Sequence, residues 1–146
     1  MKKILILSAL IFGIQFGFSQ AWKGQGDQKI QFGLNGWGNG TGITATYDYG
    51  IANEISVGAG ANFYFSGYRD SLKDNNLFIF GRVNYHLQNI IGLPSNWDIY
   101  PGLDVGILGK NFGLGAHLGV RYFFNDKFGA FLEVGNNGSL GISINL

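Results

Sequence analysis

Eight side chains able to do acid–base or charge chemistry fall, each within its own run of alternating residues, on the polar side of that alternation: Lys29, Asp48, Arg82, His86, Asp104, His117, Arg121 and Glu133. They comprise three strong bases, three acids and two histidines. Such a set could relay protons, activate an Asp–His pair or line an ion path. Its balance also suits a structural plug of salt bridges, because charges taken out of water must be paired and hydrogen-bonded to offset their desolvation. The plug is the preferred reading. A serine nucleophile would need its base and oxyanion donors in a cleft, and Ser56, Ser139 and Ser143 carry no elbow or other signature. Asp104 and His117 are the only two plausible metal ligands near one another, too few for a site. No catalytic, cofactor-binding or metal-binding residue is therefore expected, and no cofactor.

Composition narrows the chemistry further. Of 146 residues, 46% are hydrophobic, 16% aromatic and 13% charged, with 25 Gly, 2 Pro and no Cys. High aromatic content with low charge excludes disorder, and the lack of Cys removes disulfides, thiolate metal sites and cysteine nucleophiles together. A formal net charge of +1 provides no basic field for nucleic acid. One domain is expected.

The first twenty residues read as a targeting segment. Met1-Lys2-Lys3 is positive, Ile4 to Phe16 is apolar apart from Ser8, Gly13 and Gln15, and Gly17-Phe18-Ser19-Gln20 leads into Ala21. This is the pattern of a secretory signal peptide, whereas a retained membrane helix needs about 20 apolar residues. A signal peptide over 1–20, cut after Gln20, is expected, and loss of Lys2 and Lys3 leaves the mature chain nearly neutral.

From there the chain alternates with period two. Eight runs, 28–37, 41–49, 54–66, 76–87, 97–108, 113–124, 128–135 and 138–146, are separated by turns rich in Gly, Asn and Asp. Each connection is too short for a crossover helix, so neighbouring strands are antiparallel. One parity is apolar, as in Ile43, Ala45, Tyr47 and Tyr49, or Leu114, Ala116, Leu118, Val120, Tyr122 and Phe124. The other is small, polar or charged, as in Thr44, Thr46 and Asp48, or Gly115, His117, Gly119 and Arg121. The polar side of a soluble sandwich would be rich in Lys and Glu; this one is rich in Gly, Ser and Asn. The apolar set is therefore expected to face lipid and the polar set a lumen. With the N-terminus in the periplasm, Tyr47, Tyr49, Tyr85, Trp97, Tyr122, Phe124 and Phe128 gather at one rim of the apolar face, as an interfacial aromatic girdle requires.

The leader, the eight runs of about ten residues, the small polar inner set and the closing segment Leu140-Gly-Ile-Ser-Ile-Asn-Leu146 resemble the small outer-membrane barrels typified by OmpX and the membrane domain of OmpA. The resemblance covers the whole mature chain and is architectural. It implies an all-β, eight-stranded antiparallel up-and-down transmembrane β-barrel over 21–146 in the cell outer membrane. Its partners would be outer-membrane lipid, lipopolysaccharide and the outer-membrane assembly machinery, with the barrel a monomer. The terminal residue is Leu146, where members of that group usually end in an aromatic residue.

The expected role is a non-enzymatic structural or interaction barrel whose lumen is filled by charge. The alternatives are a small-solute channel, a barrel enzyme acting on lipid, or a secreted lipocalin-like carrier. Hairpin arithmetic refines the lumen, because facing residues share a side and a constant number sum. It sets Lys29 opposite Asp48, Asp104 opposite His117, and Arg121 opposite Phe131 with Glu133 on the diagonal. Arg82, Asp104, His117, Arg121 and Glu133 are then expected to form one network, with Arg82 sharing Asp104, and Lys29 to pair with Asp48 nearer the periplasmic rim. The turn 88–96, with Ile90-Ile-Gly-Leu-Pro94, is expected to fold over the barrel mouth as a plug or a short helical turn.

Overall fold

The computed structural model describes residues 19–38, 40–65 and 76–146. The expected signal peptide, up to residue 18, lies outside the described residues, as do Asn39 of the first hairpin and the 66–75 connection.

Eight strands follow in order: β1 (Gln28–Gly38), β2 (Gly42–Gly50), β3 (Ile55–Tyr64), β4 (Leu77–Tyr85), β5 (Trp97–Leu108), β6 (Asn111–Phe123), β7 (Phe128–Gly135) and β8 (Asn137–Asn145). Each pairs antiparallel with its neighbour, and β1 pairs with β8, so the sheet closes into a barrel with no free edge. Closure gives every strand a partner on both sides, the arrangement by which strands that face hydrocarbon pair their backbone groups.

The alternation read from the sequence becomes an inside and an outside. Every charged residue of the eight strands, Lys29, Asp48, Arg82, Asp98, Asp104, Arg121 and Glu133, turns inward, and all but the half-buried Asp104 are buried. Outward positions are large and apolar: Phe32, Leu34, Ile79, Val83, Leu103, Ile107, Leu114, Leu118, Leu140 and Ile142 are all exposed. The core is thus polar and the surface apolar, the reverse of a soluble barrel.

Register follows the hairpins. Lys29 faces Asp48 across β1 and β2, and Arg121 faces Phe131 across β6 and β7. The β5–β6 hairpin departs from the expected register. Asn111 and Phe112 stay in the ladder opposite Leu108 and Ile107, so the loop is Gly109-Lys110 alone and Asp104 faces Gly115 while His117 faces Gly102. Gly109 has a φ of +61°, the left-handed conformation that a two-residue hairpin demands. The slip is two residues, so no side chain changes face.

The turn at 88–96 does not close the mouth. Ile90 and Ile91 are exposed, while Gln88 turns in to donate to the Ser95 carbonyl at 2.9 Å. The segment leading into β1 takes that place: Ala21 and Trp22 are buried, and the Ala21 amide donates to the Ser95 carbonyl at 2.7 Å.

Candidate functional site

Asp48 is the hub of the lumen. Its Oδ1 accepts from Arg82 Nε at 2.7 Å, and its Oδ2 accepts from Arg82 Nη2 and, at 2.7 Å, from Arg121 Nη2. Arg82 also donates to Glu133 Oε1 at 2.9 Å. That oxygen accepts two further bonds, from Tyr100 at 2.7 Å and Gln31 at 3.1 Å. Arg121 donates through Nε to Gln31 and through Nη1 to Asp98, and its guanidinium lies 3.9 Å from the centroid of the Tyr100 ring. Two arginines with five polar or aromatic partners therefore fill the middle of the lumen. Each buried charge contacts an opposite one, which offsets its desolvation.

These contacts reach across strands because a glycine lies between the partners. Asp48, Gly58 and Arg82 are successive facing residues on β2, β3 and β4. A Cβ at Gly58 would stand 2.3 Å from Asp48 Oδ1, so only glycine leaves the gap through which the ion pair forms. Tyr100, Gly119 and Glu133 repeat the arrangement on β5, β6 and β7, and Asn84, Gly102 and His117 repeat it on β4, β5 and β6. In the last row His117 Nε2 meets Asn84 Oδ1 at 2.8 Å, and His117 Nδ1 meets Asp104 Oδ2 at 2.9 Å.

The end of the barrel where β1 begins and β8 ends is packed with buried side chains. Trp22 lies flat on His86 with centroids 3.5 Å apart and donates to the Asn53 carbonyl at 2.6 Å. Lys29 pairs with Asp27 and sits over the rings of Trp22 and Phe123. Beneath Trp22, Ser56 Oγ is 2.8 Å from His86 Nε2, and His86 Nδ1 is 2.7 Å from Asp98 Oδ2. Burial pushes the His86 imidazole below its ordinary range, against the pull of Asp98. These three side chains stand in the order of a serine hydrolase relay. Ser56 is nevertheless fully buried, its Oγ also accepts from Asn84, and Trp22 covers the imidazole.

Several expected pairings are corrected. Lys29 faces Asp48 on the ladder but bonds Asp27, because Asp48 is already held by both arginines. Arg82 faces Asp104 but turns to Asp48 and Glu133, while Asp104 bonds His117 diagonally. Arg121 does not contact Glu133; Gln31, Asp48 and Asp98 take its guanidinium. Asp48 thus belongs to the central network and not to a separate rim pair. Sequence reasoning missed Gln31, Asn84, Asp98 and Tyr100. All four share the parity of the charged residues on their own strands, which is the signal that could have found them.

Tyr47, Tyr49, Tyr85, Trp97, Phe124 and Phe128 are exposed on the outer surface towards the terminus-bearing end, and Tyr122 is half-exposed beside Trp97 at 4.8 Å. Trp37, Phe63, Phe65 and Phe112 form a second group of exposed aromatics at the opposite end, which the sequence reading did not anticipate.

A closed, eight-stranded antiparallel barrel with an apolar exterior and a charged interior defines the class: the fold is that of a transmembrane β-barrel. It is similar to a solved structure described as "De novo design of transmembrane beta-barrels", with a TM-score of 0.61 and 13% identity over 86% of this chain and 99% of that one. The chain belongs to a family of unknown function (DUF6646), matched over residues 12–139. Among curated proteins, none matches it significantly.

Proposed function

We propose that this chain is exported through a cleaved signal peptide and stands as a monomer in the outer membrane, a structural or interaction barrel with no open channel and no catalytic role. The observation that carries this reading is the inversion of the barrel: all charge on its strands turns inward and an apolar band turns outward. A lipocalin-like carrier needs the opposite surface. Against a channel stand the Arg82–Asp48–Arg121 cluster at mid-lumen and the Trp22 segment at one mouth. The partners are the surrounding lipid, lipopolysaccharide and the assembly machinery, in keeping with the likeness to OmpX and the OmpA membrane domain.

An even strand number returns both termini to one side, here the periplasm. Single cysteines replacing the exposed Lys110 and Lys127, in turns at opposite ends of the barrel, test location and orientation together. A membrane-impermeant thiol reagent should label position 110 on intact cells and position 127 only after the outer membrane is opened. Equal labelling of both, or recovery of the protein in the soluble fraction, contradicts the proposal.

A further inference from the structure

Above the central network, at the end away from the Trp22 segment, lies a cavity of about 160 Å³. Its origin is again glycine, with the opposite outcome. At Gly102, Gly106 and Gly119 a neighbouring side chain already occupies the space a Cβ would take, with the nearest side-chain atoms only 2.1–2.7 Å away. At Gly113 and Gly115, inward positions of β6 under the β5–β6 hairpin, the nearest atoms lie at 3.5 and 3.6 Å, ordinary contact distances. The space over these two is left unfilled and forms a cup.

One wall of the cup is apolar, made by the stacked rings of Phe78 and Phe80 with Leu108. The remainder is polar and includes acceptor oxygens that lack a donor. Asn62 is 4% exposed, and its Oδ1 has no partner; the same holds for Oδ1 of Asp104 and of Asn137. Among the described residues, all the hydrogen bonds that Glu133 accepts fall on Oε1, which leaves Oε2 unengaged by them. Among the described inward carboxylates, Asp27, Asp48, Asp98 and Glu133 each contact a Lys or Arg nitrogen, whereas Asp104 has only His117. Buried acceptors without donors are costly, and a ligand that carries donors and positive charge relieves several of them at once.

We propose that this cup is a binding site for a small organic cation: a primary ammonium head bonded by Asp104, Asn62 and Glu133, carried on an apolar body about the size of one aromatic ring against Phe78 and Phe80. The volume fits, since a cavity of roughly 150 Å³ holds a benzene-sized molecule. A cation beside aromatic faces gains further attraction.

The test uses the folded full-length mature barrel in detergent and three probes of one shape: 2-phenylethylammonium, 2-phenylethanol and phenylacetate. Binding is read from the backbone amide NMR signals of Gly113 and Gly115. The ammonium should shift both signals saturably, the alcohol should do so more weakly, and the carboxylate should not. Asp104→Asn should weaken ammonium binding by about tenfold or more, the loss of one charge-assisted contact. Gly115→Val, which fills the cup and leaves every charge in place, should abolish it. No saturable shift with the ammonium, equal response to all three probes, or unchanged binding in folded Gly115→Val protein overturns the proposal.

Discussion

Arg82 reaches Asp48 through two guanidinium nitrogens, across the whole width of β3, over the bare backbone of Gly58. Adjacent facing residues are the usual partners in a sheet. Here the decisive contacts skip a strand, and the skipped strand supplies a glycine. The rows Tyr100–Gly119–Glu133 and Asn84–Gly102–His117 follow the same plan, so the lumen is knitted around its circumference as well as along each hairpin.

The hub should therefore be the least tolerant position. Asp48→Asn leaves Arg82 and Arg121 without their shared anion inside the lumen, and breaking such a buried pair costs about 3–5 kcal/mol. Urea unfolding of the barrel in lipid vesicles measures the loss. A cost within about 0.5 kcal/mol of zero, the range of ordinary surface changes, would contradict the hub assignment.

Glycine replacements should sort by what fills their space. Gly102→Ala and Gly119→Ala drive a methyl into His117 and Tyr100, and overpacking of this kind costs about 1–3 kcal/mol. Gly113→Ala and Gly115→Ala add a methyl at ordinary contact distance, without a clash, and should be neutral or stabilising by up to roughly 1 kcal/mol, since glycine disfavours a strand interior. The same unfolding assay decides, and four equal effects would refute the distinction.

Lys29 offers a test of a corrected pairing. A double-mutant cycle between Lys29→Met and Asp27→Ala should show a coupling of about 1 kcal/mol or more, the range found for contacting charges. The cycle between Lys29→Met and Asp48→Asn should show the smaller coupling, although these two residues face each other on the ladder. The reverse order would restore the pairing that register alone suggests.

That case shows where the sequence is legible. Strand number, parity and the inward fate of Lys29, Asp48, Arg82, His117, Arg121 and Glu133 follow from period-two alternation, because a strand's side chains have only two directions to take. Register follows wherever the turn is unambiguous, as for Lys29 and Asp48. It slips by two at β5–β6, where Asn111 and Phe112 look like loop yet extend the ladder. Partner choice is not legible, because an arginine side chain spans more than one strand spacing and its target depends on which intervening position lacks a Cβ. The burial of Trp22 against His86 at one mouth is hidden for another reason: it belongs to a segment outside the alternating pattern.

The proposed role requires a lumen closed to solute, and ion flux through the inserted barrel tests that most directly. Proteoliposomes carrying the folded protein, washed with urea to remove any that is merely adsorbed, should show no more flux of potassium or chloride than protein-free vesicles, and planar bilayers should show no stepwise conductance. Retention through the wash together with reproducible single-channel steps would contradict a closed lumen; loss of the protein in the wash would contradict its insertion.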